Sequence, residues 1–268
     1  MADRRDDSMS KHYGASLDLR MAESPTEFVD FLDSLGLSHV EIRHSYLDTR
    51  PETADVEALR ELRETAGVTY TIHAPYNDCN PGNLNEPLRK AMSERLVATL
   101  DLADAIGAGA VVTHGGAVRR SYPDRVQEHA REQAVRTIRE AARHADEVEV
   151  PLCVENQRAK AKKRYNTSTP ERLAAFLDDV DLDSEYLGVT LDVGHAKATG
   201  VDYEAFVDRF GDGIRVAHLH DNDGTDDDHD PIPDYEAIAA DIGAPYNVLE
   251  MKSKADVERC VGSRPLDE

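Results

Sequence analysis

Tryptophan is absent from this 268-residue chain, aromatic residues make up 6% of it, and cysteine occurs three times. The core must therefore be built mainly from Val, Leu, Ile and Ala. Cys79, Cys153 and Cys260 show no CxxC spacing, which points away from a disulfide framework or a thiolate metal site and toward reduced, structural thiols. No stretch approaches the roughly 20 uninterrupted apolar residues that a bilayer-spanning helix needs. Met1 to Lys11 is polar, with no charged-then-apolar leader, and a cytoplasmic location is expected. Positive charge is scarce: 31 Lys and Arg face 53 Asp and Glu, a net charge of −22. A field of that sign repels nucleic acid and anionic membranes, so neither is an expected partner. The acid is spread along the whole chain, and 23 Arg outnumber 8 Lys. This bias resembles that of proteins from salt-loving cytoplasms, so the charge reads as solvation at high salt.

Common catalytic strings are also missing. No P-loop, GxSxG or HExxH occurs. The glycines at 107, 109, 115 and 116 do not follow the strand, GxGxxG, helix order of a dinucleotide fingerprint.

What is present is a regular alternation. Short apolar runs of strand type lie at 14–19, 39–42, 68–73, 110–114, 150–155, 188–192, 214–219 and 247–250, with helical spacing between them, as in Leu96, Leu100, Ala103 and Ile106. Ser24-Pro25-Thr26-Glu27 and Thr169-Pro170 signal helix starts, and Gly36, Gly67, Gly107 and Gly243 signal helix ends. Eight strand–helix repeats without a long structureless gap predict an α/β fold, a single (β/α)8 barrel over 14–262 after a disordered lead-in at 1–13. An open doubly wound sheet is the alternative.

The chemistry lies in what ends the strands. Runs three to eight end in His73, His114, Glu155, Asp192, His218 and Glu250, and in a barrel those ends converge on one mouth. Any one of them alone would read as an ordinary polar strand end. Together they form a carboxylate and imidazole shell that suits Mn, Co, Zn or Mg, because such a crowd of charges is costly unless it protonates or binds a cation.

The strings HAPY, THGG, VENQ, LDVGHAKATG, HLHDNDG followed by DDDHDP, and the late LEM resemble the xylose-isomerase-like barrel superfamily of sugar and sugar-phosphate isomerases, ketose epimerases and endonuclease IV enzymes. The resemblance spans about residues 14 to 252. It implies Glu155, Asp192, His218 and Glu250 as ligands of one divalent ion (Mn, Co, Mg or Zn), with Glu155 and Glu250 also exchanging a substrate proton. A cation on a carbonyl and its neighbouring hydroxyl acidifies the C–H between them and stabilises the enediolate, while two carboxylates move the proton. His195 is placed to donate to a substrate oxygen or to bind a second ion. The expected function is isomerisation or epimerisation of a carbohydrate or sugar phosphate.

Two alternatives stand. The endonuclease branch is matched by His73, His114, His195, Asp227 and His229, enough for three zinc ions and phosphodiester hydrolysis of abasic DNA. The opening Gly14-Ala15-Ser16-Leu17-Asp18, the Asn-Gln-Arg after Glu155 and the net charge depart from it. A barrel that binds a ligand without turnover is the second alternative.

The only dense basic run, Arg158 to Arg164, reads either as a solvated, mobile loop or as an anion clamp of Lys160, Lys163 and Arg164 over the mouth. His73, His114 and His195 join it as expected substrate contacts. Glu41 and Arg43 face the mouth or the helix layer depending on register, and Tyr76 either stacks on a sugar or packs. His220 is set aside in favour of His218. His12, His39, His44, His129 and His144 receive no role. Oligomeric state is left open, with a homo-oligomer compatible.

Overall fold

The computed structural model describes residues 11–21, 24–50 and 55–262. Eight parallel strands close into one barrel: β1 (His12–Leu17), β2 (His39–Arg43), β3 (Thr69–His73), β4 (Val111–His114), β6 (Leu152–Glu155), β8 (Leu187–Asp192), β9 (Ile214–Leu219) and β10 (Tyr246–Leu249). Pairing of β1 with both β2 and β10 completes the ring. All eight expected strands are present and the open-sheet alternative is ruled out. β1 starts at His12, inside the expected lead-in, because His12 and Tyr13 pair with Tyr246 and Asn247. The rest of that lead-in, 1–10, lies outside the described residues.

Each barrel strand is followed by a covering helix: α1 (Pro25–Ser34), α3 (Val56–Ala66), α4 (Glu86–Ile106), α5 (Asp124–Val148), α6 (Pro170–Val180), α8 (Glu204–Phe210), α9 (Tyr235–Ile242) and α10 (Lys254–Gly262). Two short helices, α2 (His44–Thr49) and α7 (Val193–Thr199), continue directly from strand ends. The punctuation works as the residues dictate. Ser24 and Thr169 cap α1 and α6 by accepting from the amides of Glu27 and Arg172. Gly67, Gly107 and Gly243 take the left-handed conformation, at φ of 66°, 68° and 78°, that ends α3, α4 and α9. Leu96, Leu100, Ala103 and Ile106 all lie buried on one face of α4.

Two cores result from the period-2 alternation of the strands. The larger lies between barrel and helices; the smaller, formed by Ala110, Val112, Cys153, Val216 and Val248 with Tyr246 against it, plugs the inside of the barrel. Below this plug Tyr246 packs between the rings of His12 and His39, with centroids 5.5 and 5.1 Å away. One strand step above it, the same inward-facing rows turn polar.

Two further strands lie outside the barrel. β5 (Ala117–Arg119) and β7 (Lys163–Tyr165) pair antiparallel as a ribbon beside the mouth. The basic run therefore contains ordered structure. No helix among the described residues is long and apolar enough to cross a membrane, and the three cysteines are free thiols, with Cys153 and Cys260 buried.

Candidate metal centre at the barrel mouth

The strand ends deliver their ionisable groups to one place. Glu155 Oε1 and Glu250 Oε1 approach the same atom, His218 Nδ1, to 3.9 and 3.5 Å. Glu155 Oε2 lies 3.3 Å from His73 Nε2 and 3.1 Å from His114 Nε2, while its Oε1 lies 3.0 Å from His195 Nδ1. Asp192 sits 3.2 Å from the same His195 nitrogen and 3.0 Å from His220 Nε2. Asp227 Oδ2 is 3.3 Å from His195 Nε2, and its Oδ1 is 3.7 Å from His229 Nε2. Every residue assigned from sequence to the metal shell is in this cluster.

The imidazoles are held in fixed orientations. His73 Nδ1 faces the Ala74 carbonyl at 2.9 Å, His195 Nδ1 the Asn156 carbonyl at 2.9 Å and His229 Nδ1 the Glu250 carbonyl at 2.6 Å. A ring nitrogen against a carbonyl carries the hydrogen, which aims the other nitrogen at the cluster. His218 is fixed by a carboxylate instead, with Nε2 3.0 Å from Glu41 Oε2, and both residues are fully buried. Backbone geometry contributes too. His229 adopts a left-handed φ of 55°, uncommon for a residue other than glycine, and its ring is part of the site. Gly194 is obligatory, because a Cβ there would lie 2.0 Å from the His220 ring.

The electrostatics follow from these contacts. Burial pushes the Glu155 carboxyl up, but His114, His195 and His73 outweigh it and hold the group well below the usual carboxylate range. Glu250 is held low in the same way by Arg43, His218 and His229 against the effect of burial. Burial lowers the His218 imidazole, yet Glu41 and Glu250 raise it to about 10. His195 is likewise raised well above its ordinary value, chiefly by Asp192 and Asp227 against burial. His114 and His229 are lowered, mainly by burial.

These residues fit a divalent metal. His218 Nδ1 and Asp227 Oδ1 are buried without a hydrogen-bond partner and lie among carboxylates and imidazoles, and an orphaned donor set of this kind is satisfied by a cation. Among the described residues, four triads have one ligand atom per residue within 4.8 Å of one another: His73, His114, Glu155; Glu155, Asp192, His195; Glu41, His218, Glu250; and His220, His229, Glu250.

Three participants went unassigned in the sequence. Glu41 and Arg43 face inward, as the pattern His39, Glu41, Arg43 on one side of β2 permits. Arg43 is nearly enclosed and reaches Glu250 at 2.7 Å, Ser16 at 2.8 Å and the Tyr76 hydroxyl at 3.0 Å. His220 extends the inward face of β9 by one step beyond His218. The signal for all three was period-2 continuity; only closure of the ring told inside from outside.

Above the cluster is a cavity of about 480 Å³, the size of a small-molecule site. Its floor includes His73, His114, Glu155, His195, Asp227, His229 and Glu250, and its rim includes Tyr76, Asn80, Gln157, Arg158, Lys160, Lys163 and Tyr165. Arg164 does not line it: alternation along β7 places Lys163 and Tyr165 on the cavity face and Arg164 on the other, toward Arg120 and Arg172.

A family model described as xylose isomerase-like TIM barrel matches residues 29–246. The uncharacterized protein MJ1311 of Methanocaldococcus jannaschii is 32% identical over 178 residues, covering 65% of this chain and 59% of that protein. The chain spans about three fifths of the length of the M. jannaschii relatives it matches. Among solved structures, a D-tagatose 3-epimerase-like protein superposes with a TM-score of 0.77 at 27% identity, covering 94% of each chain. An IOLI protein with a bound zinc atom gives a TM-score of 0.73 at 16% identity, again covering 94% of each chain, a likeness of fold.

Proposed function

Because this chain belongs to the xylose isomerase-like TIM barrel family, we propose that its mouth isomerises or epimerises a sugar or sugar phosphate by proton transfer beside a divalent metal. The observation that carries this reading is the convergence of Glu155 and Glu250 on the unpartnered His218 Nδ1, from 3.9 and 3.5 Å. Glu155, Asp192, His218 and Glu250 would hold the ion. Bound there, it would supply positive charge that acidifies the carbon between a carbonyl and its neighbouring hydroxyl.

The chain's own groups do the rest. Glu155 and Glu250 are both held ionised, so either one can accept the carbon-bound proton and, as the acid so formed, return it to the same or the neighbouring carbon, while return on the opposite face uses the other carboxylate after it has taken a proton from solvent. They enter the cavity from β6 and β10, on different sides of the ring, so a substrate carbon between them is reached from two faces. His195, kept protonated by its carboxylate neighbours, is the donor toward a substrate oxygen. Tyr76 and Gln157 offer neutral hydrogen bonds to hydroxyls. The test is exchange of a substrate C–H with deuterated water by metal-loaded protein across a panel of ketoses and their phosphates. Exchange lost in both Glu155→Gln and Glu250→Gln supports the paired carboxylates, and full exchange in either variant removes them.

A second reading, a zinc phosphodiesterase acting on abasic DNA, is supported by one specific observation. His73, His114, His195, Asp227 and His229 join the four carboxylate-shell residues in one cluster, a donor set large enough for three ions. Elemental analysis separates the two: about one Mn, Co, Mg or Zn per chain supports the isomerase, and about three Zn per chain, with cleavage of abasic DNA, supports the nuclease.

A further inference from the structure

We propose that Lys160 and Lys163 form a seat for a phosphomonoester group, so that the molecule handled at the carboxylate floor is a small phosphorylated substrate. This rests on reading the floor as an isomerase or epimerase centre.

The cavity is polarised. Glu155, Glu250 and Asp227 lie in its floor, whereas Lys160 and Lys163 line its rim. The two lysines are held by an ordered hairpin. The Lys163 amide donates to the Lys160 carbonyl at 3.3 Å, and the Arg120 guanidinium donates to the carbonyls of Lys163 and Lys160 at 3.0 and 3.4 Å. The Arg120 amide reaches the Lys162 carbonyl at 3.1 Å, and the Ala159 amide reaches Thr199 Oγ1 at 2.9 Å. The backbone is thus tied on both sides while the lysine side chains stay free to reach in.

Their charge is also unspent. Arg158 is occupied by Asp226 at 3.1 Å and Asp227 at 3.8 Å. In a chain with 53 acidic residues, neither Lys160 nor Lys163 has an ion pair or hydrogen bond to its ammonium among the described residues. Burial, then Arg158 and Lys163, push the Lys160 ammonium down against the pull of Asp227 and Asp226, which is the situation an anion relieves. A phosphomonoester carries about −1.5 to −2 at neutral pH, which matches two ammonium groups. Lysine suits this task as a point charge with three rotatable donors. A neutral sugar would leave both ammonium groups without an anion in contact.

Calorimetric titration of the metal-loaded protein at one fixed KCl concentration tests the seat, with glycerol 3-phosphate, glycerol and dimethyl phosphate as probes. Glycerol 3-phosphate should bind tighter than glycerol and lose roughly tenfold or more in the Lys160→Gln, Lys163→Gln double variant, while Arg164→Gln, on the other ribbon face, changes it by less than about twofold. Equal affinity in the double variant, or an equal loss in Arg164→Gln, overturns the seat. Dimethyl phosphate binding as tightly as glycerol 3-phosphate overturns the small-substrate assignment in favour of a nucleic-acid backbone. Because the readout is binding, its failure is distinct from that of the floor reading: absence of proton exchange on any sugar phosphate, with lysine-dependent binding intact, counts against the floor and leaves the seat standing.

Discussion

The inside of this barrel is two regions built from the same strands, an apolar floor of the barrel itself, beneath the cavity, and an ionisable mouth that contains the cavity and its carboxylates. On four strands the change takes one inward step: Val112 gives way to His114, Cys153 to Glu155, Val216 to His218 and Val248 to Glu250. The floor closes the barrel by burying hydrocarbon. The mouth gathers like charges whose mutual repulsion is offset by imidazolium, guanidinium and, in the proposed function, a metal ion. Stability and chemistry are therefore separated by about 7 Å along each strand, and substitutions in the two layers should fail in different ways.

The largest contrast is expected between Glu155→Gln and Val248→Ala. The mouth variant should lower turnover by roughly 10²- to 10⁴-fold, the usual worth of a general base, and, because His114, His195 and His73 hold Glu155 ionised in the fold, its metal-free form should lose stability that is present at neutral pH and fades in acid. The floor variant should lose about 2 kcal/mol of stability, at the low end for a large-to-small core change, with turnover kept. Urea unfolding and steady-state kinetics on both proteins check this. A loss of turnover in Val248→Ala as large as that in Glu155→Gln would dissolve the division.

Next is Glu41→Gln, which touches no substrate but orients His218. Metal affinity should fall roughly 10- to 100-fold, as for other partners that orient a ligating imidazole, measured by competition with a chromophoric chelator. An unchanged affinity would remove Glu41 from the metal site.

Two buried histidines sharpen the comparison through pH. In the floor, burial and then the nearby His12 push His39 down to about 3. In the mouth, His218 rises to about 10, because Glu41 and Glu250 outweigh burial. His39 therefore contributes stability that is present above its ordinary value of 6.5 and is lost as pH falls toward 3. His218 contributes stability to the metal-free protein that is present below 6.5 and is lost as pH rises through about 10. NMR titration of the two rings should show opposite shifts, and metal uptake at neutral pH should release a proton from His218, since only a neutral imidazole ligates. Proton release is read from calorimetry in buffers of different ionisation heat; none would contradict the raised value.

The smallest effect belongs to the helices around the barrel. Thr169→Ala removes the cap of α6 and should cost about 1 kcal/mol while metal affinity stays unchanged, confirming that the mouth's chemistry is independent of the stability of its surrounding helices.

Much of this was legible in the residues. The eight strands were visible because each is a short apolar run between helix caps, and local signals such as Ser24, Thr169, Gly67 and Gly107 act within a few residues of themselves. The strand-end residues His73, His114, Glu155, Asp192, His218 and Glu250 stood out because a barrel brings its strand ends together, and the family resemblance singled out Glu155, Asp192, His218 and Glu250 among them. Glu41 and Arg43 could not be assigned, because an alternating strand has two faces and nothing local says which one looks inward, and His220, which shares the alternation of His218, was set aside in favour of it. Arg164 was grouped with Lys160 and Lys163 for the same reason: a charge run gives no register, and the pairing of β7 with β5 sets its faces.

The sequence by itself determined the order of elements, the closure-competent count of eight strands and the identity of the polar strand ends, because these depend on periodicity and local capping. Only the tertiary structure decided which face of each strand looks inward, that Glu41 orients His218 while Arg43 holds Glu250, and which lysines overlook the cavity. Those facts depend on contacts between residues as far apart as Arg43 and Glu250, and such contacts exist only once the ring has closed.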